Sequence, residues 1–161
     1  MKAAILIGSD SDWPIMKPAV ETLKKFGVEA EVTVASAHRT PAKVEQLVKT
    51  APERGVRLFI AAAGGAAHLA GVVASHTTLP VIGVPINASP LNGMDALFAT
   101  VQMPSGIPVG TMAINGSKNA ALFAVQILAL SDETLAAKLK EHRVNLAKEV
   151  EQKSDRVQAQ L

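Results

Sequence analysis

The side chains best suited to chemistry lie close together in residues 35–41, which read ASAHRTP. Ser36 supplies a hydroxyl, His38 an imidazole and Arg39 a permanent cation with a planar array of donors. An imidazole takes up and releases protons near neutral pH, and a guanidinium binds anions. Because His38 has no packing role between these polar neighbours, we expect this segment to act on an anionic substrate.

A strand-to-helix loop has to hold these side chains. The β-branched run at residues 31–34 predicts a strand before the segment, and a helical pattern begins after it at Pro41. In an open parallel α/β sheet, such loops lie at the carboxyl ends of the strands, where ligands bind. The sequence therefore predicts a ligand site at that edge of the sheet.

A second polar loop follows the first predicted strand. Residues 8–12 (GSDSD) come after the apolar run Ala3–Ile7 and before a helix that begins near Pro14. The free amides at a helix start favour a phosphate. Ser11 or Asp12 is equally well explained as a helix cap, and the two roles are compatible. The loop is neither a Walker loop nor a GxGxxG motif, so by itself it does not identify a nucleotide site.

A third loop is rich in glycine and alanine. It spans residues 64–71 (GGAAHLAG) after an apolar strand at 58–63. Small residues let a ligand approach the backbone closely and leave a compact pocket. His68 is explained equally well as a helix cap or as a ligand contact. His76 and His142 lie on helical segments without convergent partners, and we interpret both as structural or surface groups.

The rest of the chain continues the alternation of strands and helices. The sequence predicts a strand at 80–85, a helix at 93–101, a strand at 109–114, and helices at 119–130 and from Asp132 onward. The helix at 119–130 is apolar almost all round, which predicts burial and makes it a candidate for a subunit interface. The final helix is charged and amphipathic, and we expect it to pack on the domain edge or a neighbouring subunit.

Length and pattern together predict a single α/β domain, residues 1–161, folded as a three-layer α/β/α sandwich around a central parallel sheet. Residues 132–161 would form its C-terminal amphipathic helix. Aromatic residues are only 3% of the chain, so the core is built from small side chains that stabilise little per residue. Burial between subunits would offset this, and we expect a homo-oligomer.

Composition excludes several other classes of protein. The net charge is +2, and the basic residues are spread along the chain, which argues against nucleic-acid binding. The chain has no cysteine, and its histidines are not spaced as ligands, so we expect neither disulfides nor a metal. Glycines interrupt the near-apolar run Leu58–Ala74, which argues against a membrane span. Without a signal-peptide pattern, we expect a cytoplasmic location.

Five motifs give the sequence a resemblance to a known family. They are residues 8–13 (GSDSDW), 36–41 (SAHRTP), 63–69 (AGGAAHL), 83–85 (GVP) and 102–104 (QMP). In this order over most of the chain, they resemble the class I N5-carboxyaminoimidazole ribonucleotide mutases of de novo purine biosynthesis. The resemblance implies a flavodoxin-like fold and a homo-oligomer, typically an octamer with active sites at subunit junctions.

The resemblance also implies a reaction. Enzymes of this family move a carboxylate from the exocyclic nitrogen of an aminoimidazole ribonucleotide to ring carbon C4, by decarboxylation and recarboxylation, without a metal or organic cofactor. His38 would be the catalytic general acid and base. The substrate would be a small-molecule ribonucleotide, and the enzyme would couple functionally to the carboxyaminoimidazole ribonucleotide synthetase that makes it.

The same resemblance assigns the substrate-binding residues. The phosphate contacts would come from Ser9, Ser11, Ser36 and Arg39. Asp12 matches a ligand of the ribose hydroxyls, and His68 would face the substrate carboxylate. The remaining positions that would contact the substrate are Gly8, Ala37, Ala63, Gly64, Gly65, Ala66 and Leu69.

Three alternatives remain open at the level of sequence, and one of them is a mainly structural oligomer, against which tight binding of a ribonucleotide phosphate would count. A class II aminoimidazole ribonucleotide carboxylase adds CO2 directly and shares the fold and the catalytic histidine, although the Gly-Ser-x-Ser-Asp-Trp loop favours class I. A non-catalytic nucleotide-binding module would need the phosphate loop but not His38.

Overall fold

The computed structural model describes residues 1–160, which divide into a compact unit of residues 1–124 and a second unit that begins at Val125. The prediction that residues 1–161 form one domain stays a prediction. Within residues 1–160, no helix combines the length and apolar character that a bilayer crossing requires.

Strands and helices alternate along the chain. The strands are β1 (Lys2–Ile7), β2 (Glu29–Val34), β3 (Val56–Gly64), β4 (Val81–Ile86) and β5 (Gly110–Thr111). The helices are α1 (Trp13–Phe26), α2 (Pro41–Lys49), α3 (Leu69–Ser75), α4 (Met94–Val101), α5 (Ser117–Ala129) and α6 (Glu133–Gln158).

The described strands form one parallel sheet in the order β2-β1-β3-β4-β5. The chain leaves β1 toward β2, then crosses back to β3 and continues to β4. Right-handed crossovers therefore place α1 on one face of the sheet and α2 and α3 on the other. The direction of winding reverses between β1 and β3, and ligands bind at such a switch point. The predicted α/β fold with a central parallel sheet is confirmed.

Both faces of the sheet are covered. Successive side chains of a strand point to opposite faces, and in β1 both Ile5 and Leu6 are no more than 2% exposed. On the Leu6 face, Val44 of α2 and Val73 of α3 belong to one buried cluster with Phe59 of β3. Short apolar strands without alternation are typical of this arrangement.

The prediction of a strand at 109–114 is wrong in its length, because β5 has only two residues. The carbonyls of Gly83 and Pro85 both face the side of β4 on which β5 lies. They accept hydrogen bonds there from Met112 N and Asn115 N at 2.9 and 2.8 Å. The N–H that Pro85 lacks would therefore point to the same side. Regular pairing with β4 ends before Pro85.

Within this chain, the predicted burial of the helix at 119–130 holds for only one face, and its place at a subunit interface stays a prediction. Ala120 and Ala124 on α5 are completely buried, but Phe123 is 36% exposed. In the second unit, Leu130 follows α5 and is 89% exposed. The charged helix predicted from Asp132 is present as α6, where the Asp132 side chain caps the helix by accepting a 3.0 Å hydrogen bond from Leu135 N.

Candidate active site

The loop after β1 is organised by its own polar groups. Ser9 precedes a short 3-10 turn at Asp10–Asp12, and its Oγ accepts a hydrogen bond from Ser11 N at 3.3 Å. Asp12 returns the contact by accepting from Ser9 N at 3.1 Å, which completes a capping box. Asp12 stands at the N-cap position of α1, but its side chain makes no capping hydrogen bond to that helix. The prediction that Ser11 or Asp12 caps the helix is therefore wrong, because the Asp12 carboxylate is turned back to Ser9 N and Ser9 caps the preceding turn.

Asp12 is a buried carboxyl, only 3% exposed. Burial raises the pKa of the Asp12 carboxyl, hydrogen bonds from Ser9 and Ser11 lower it, and the neighbouring Asp10 charge raises it. The net direction is upward, so the protein holds a carboxylate here at a cost in stability. An acceptor kept in this way suits the hydroxyl groups of a sugar.

The loop after β2 is closed by Ser36 and Thr40. Ser36 N donates to Thr40 Oγ1 at 2.9 Å, and Thr40 N donates to the Ser36 carbonyl at 2.9 Å. The Ser36 hydroxyl also accepts from Arg39 N at 3.2 Å, and Arg39 Nε lies 3.5 Å from it. These bonds hold the hydroxyl and the guanidinium side by side at the carboxyl end of β2.

The first two loops enclose a cleft of about 340 Å³. Its lining residues are Gly8, Ser9, Asp10, Val34, Ala35, Ser36, Arg39 and Thr40. Hydroxyl donors and one guanidinium converge on this space, which is the donor set that binds a phosphate group. The structure therefore brings together the phosphate-side residues Ser9, Ser36 and Arg39.

His38 is the chain neighbour of Arg39, which lines this cleft, and it contacts a histidine of the third loop. Its Nε2 is 2.8 Å from His68 Nδ1, and the two rings meet edge to face with centroids 4.9 Å apart. Both side chains are exposed. A hydrogen bond between two imidazole nitrogens needs one donor and one acceptor, so a single proton lies between the rings.

The third loop contains two glycines that differ in the space around them. Gly65 has a φ of +59°, a conformation that favours glycine. A Cβ at Gly64 would lie 2.6 Å from the Cβ of Ala88, so a larger residue does not fit there. His68 also lines a second cleft of about 420 Å³ with residues of α3 and of α4 and the loop after it, namely Gly71, Val72, Phe98, Ala99, Gln102 and Met103.

The other sequence-derived site residues are distributed around these loops. Ala37, Ala63 and Gly64 are half-buried, and Ala66 is exposed. The Leu69 side chain is 2% exposed and packs in the hydrophobic core, so only its backbone is available to a ligand. Ser11 is exposed, and its hydroxyl donates to Ser9 Oγ at 2.9 Å.

The sequence reasoning missed three features of the site. Asp10 and Thr40 line the cleft, although both lie inside motifs that had been singled out. The contact between His38 and His68 had no local signal, because 30 residues separate the two. In the part of the chain that the structure describes, no group of three or more acidic and histidine side chains is arranged to hold a metal ion.

Comparison with known proteins extends these observations. The family model for AIR carboxylase matches residues 2–149. N5-carboxyaminoimidazole ribonucleotide mutase of Thermotoga maritima is 51% identical over 157 residues, which is 98% of this chain and 92% of that protein. Phosphoribosylaminoimidazole carboxylase of Candida albicans is 51% identical over 91% of this chain, which spans 26% of that longer protein. The crystal structure of Treponema denticola PurE is similar, with a TM-score of 0.86, 28% identity and coverage of 96% and 97% of the two chains.

Proposed function

This chain belongs to the AIR carboxylase family and acts as an isomerase of the mutase type, and we propose that His38 is the general acid and base of its reaction. The reaction converts N5-carboxyaminoimidazole ribonucleotide to 4-carboxy-5-aminoimidazole ribonucleotide in purine biosynthesis. The observation that carries the assignment of His38 is its position next to Arg39, which lines a cleft whose donors suit a phosphate, and within hydrogen-bond distance of a second imidazole.

We propose that the cleft holds the substrate phosphate. The Ser9 and Ser36 hydroxyls and the Arg39 guanidinium would donate to its oxygens, with Ser11 adding a backbone or hydroxyl donor. Asp12 is buried in the same loop as Ser9, and its carboxylate would accept a hydrogen bond from a ribose hydroxyl. With the phosphate and ribose anchored there, the base would extend toward the histidine pair.

His38 would donate a proton in the first step of the reaction and take up a proton in the last. It first gives a proton to the exocyclic nitrogen as the N–CO2 bond breaks, which leaves CO2 and the neutral amine. Ring carbon C4 then attacks CO2, and His38 takes the proton from C4 so that the imidazole ring regains its aromaticity. The proton returns to His38, and the reaction is balanced without an added acid or base.

CO2 has to stay in the site between the two steps. The proposed enclosure is the third loop, where the small residues Gly64, Gly65 and Ala66 would let the base approach the backbone closely. His68 would keep its Nδ1 contact with His38 and bind the substrate carboxylate through Nε2. The His68 imidazole would then bind the carboxylate both on the exocyclic nitrogen of the substrate and on C4 of the product.

We also propose a homo-octamer with sites at subunit junctions, in the cytoplasm, with functional coupling to the synthetase that supplies the substrate. Exposed apolar side chains on and around α4 support association, since Leu91 is 63% and Phe98 55% exposed. Phe98 also lines the second cleft beside His68, so a partner subunit covering it would complete the enclosure of the site. The proposal needs no cofactor.

Isotope retention tests the proposed reaction. The protein is incubated with substrate that carries ¹³C in its N-carboxylate, in unlabelled bicarbonate buffer. Product with the label largely retained at C4 is expected of a mutase with an enclosed CO2. Product formed only from aminoimidazole ribonucleotide and bicarbonate would instead establish a carboxylase, the activity for which the Candida albicans relative is named. Absence of product from either substrate would leave a nucleotide-binding module.

A further inference from the structure

Asp10 is the acidic side chain among the residues that line the cleft. It is exposed, and its Oδ1 accepts two hydrogen bonds, from Ser9 Oγ at 3.2 Å and from Ser11 N at 3.1 Å. Both donors point at one carboxylate oxygen. A carboxylate oxygen and a phosphate oxygen accept from the same kinds of donors in the same geometry.

The proposed phosphate site therefore contains an anion of its own. Ser9 Oγ can donate only one hydrogen bond, because a hydroxyl carries a single proton. While that proton is directed to Asp10, it is not available to a phosphate oxygen. The charge of Asp10 also acts on the neighbouring Asp12. Burial is the main cause that raises the pKa of the Asp12 carboxyl, hydrogen bonds from Ser9 and Ser11 lower it, and the Asp10 charge raises it further.

We infer that the Asp10 carboxylate competes with the substrate phosphate for Ser9 and Ser11 and thereby sets the affinity of the cleft for phosphorylated ligands. This inference rests on the proposed function, because that function places the substrate phosphate in this cleft. On binding, the phosphate takes both donors, and Asp10 turns outward to water. The competition weakens every phosphate ligand, but the ribonucleotide keeps its ribose and base contacts.

Low occupancy of the cleft by inorganic phosphate follows from this competition. Inorganic phosphate has only the cleft donors to bind to, and an internal competitor keeps its occupancy low. The ribonucleotide is held at additional points and still binds. A purely structural role for Asp10 predicts the reverse, because a side chain that holds Ser9 and Ser11 in place would strengthen phosphate binding.

The variant Asp10→Asn separates the two roles. The neutral Asn oxygen can still accept from Ser9 and Ser11 but more weakly than a carboxylate, so the loop keeps its hydrogen bonds while the competition for both donors is reduced. Glu53→Gln is the matched control, since it removes the same charge from an exposed residue in the turn before β3, at the opposite edge of the sheet. Melting temperatures of both variants establish that they are folded.

We expect Asp10→Asn to lower both the KM for the ribonucleotide and the inhibition constant of inorganic phosphate by about 3- to 10-fold, the size expected for one like-charge contact near a surface. The kcat and the control variant should be unchanged. The ratio between wild type and variant should shrink toward one as ionic strength rises, because salt screens exposed charges.

The inference would be overturned if Asp10→Asn turned over normally but its KM and its phosphate inhibition constant stayed the same or rose. The proposed function would then remain intact. An effect of equal size at every ionic strength would overturn it too. If the wild type does not convert the ribonucleotide, the proposed function fails separately. Calorimetric titration with inorganic phosphate then still decides whether Asp10→Asn binds it more tightly.

Discussion

The 2.8 Å contact between His38 Nε2 and His68 Nδ1 predicts that two substitutions at position 68 differ in their effect on turnover. His68→Leu removes both the contact with His38 and the proposed contact with the substrate carboxylate. His68→Asn places an amide atom close to the position of the imidazole Nδ1, so both hydrogen bonds can still form. His76→Leu is a matched control at the end of the same helix.

The magnitude follows from the number of hydrogen bonds lost. The hydrogen bond to the His38 imidazole contributes about 0.5–1.5 kcal/mol net, and the one to the charged carboxylate about 1.5–3 kcal/mol. Together they amount to about 2–4.5 kcal/mol, which corresponds to a fall in kcat/KM of about 30- to 2,000-fold for His68→Leu. His68→Asn should lose less than about 10-fold, and His76→Leu should be close to wild type.

Initial rates over a range of substrate concentrations measure these effects and divide them between kcat and KM. Loss of the contact that positions His38 should lower kcat, and loss of the carboxylate contact should raise KM. Equal rates for wild type and His68→Leu would refute the reasoning. If kcat/KM fell more than about a thousandfold in both His68→Leu and His68→Asn, the reasoning would also be refuted. Such a loss would indicate that His68 is the proton-transfer group.

Two further predictions concern the walls of the site. Asp12→Asn should abolish most activity but raise the free energy of unfolding at neutral pH by about 1 kcal/mol, because it removes a carboxylate that burial destabilises. Burial raises the pKa of the Asp12 carboxyl in the folded state, so the folded wild type becomes less stable as the pH rises through that pKa and the carboxyl loses its proton. Chemical denaturation at a series of pH values should therefore show the stability advantage of Asp12→Asn shrinking as the pH falls. An advantage that grew toward acid pH would contradict this. Gly64→Ala should lower the free energy of unfolding by about 1–3 kcal/mol, since its Cβ would lie 2.6 Å from that of Ala88. Gly8→Ala, with its nearest contact at 3.4 Å, should be milder, and equal losses for the two variants would show that the Ala88 contact does not matter.

Local sequence predicts most of the fold because the decisive signals are local. The apolar strands β1, β3 and β4 are buried on both faces and need no partner to be recognised. Pro14 and Gly27 mark the two ends of α1, and Gly27 adopts the left-handed conformation of a helix cap, with φ at +82°. The order of the strands in the sheet had no such local signal, because it depends on contacts between distant parts of the chain.

The errors have tertiary causes. The edge strand β2 begins at Glu29, two residues before its β-branched run, because its pairing with β1 extends over Lys2 and Ala3. The strand predicted at 109–114 is short because Pro85 on the neighbouring strand lacks a donor. Apolar composition alone predicted burial around α5, yet Phe123 is partly exposed.

The candidate site was likewise predictable only where the signals are local in sequence. Motifs placed Ser9, Ser36 and Arg39 in loops at one edge of the sheet, and the structure brings them to one cleft. Motifs did not indicate that His38 contacts His68, or that Asp10 occupies the donors of Ser9 and Ser11. Such contacts depend on side-chain directions, which sequence spacing does not determine.

The most direct test of the account is to compare turnover and ligand binding in His38→Asn. The account predicts that kcat falls by about 10²–10⁴-fold, the usual contribution of a general acid and base. The dissociation constant of a ribonucleotide ligand should change by less than about threefold, because His38 is not among the residues that line the phosphate cleft. A variant that keeps turnover within about tenfold of wild type would contradict the assignment of His38 as the proton-transfer group.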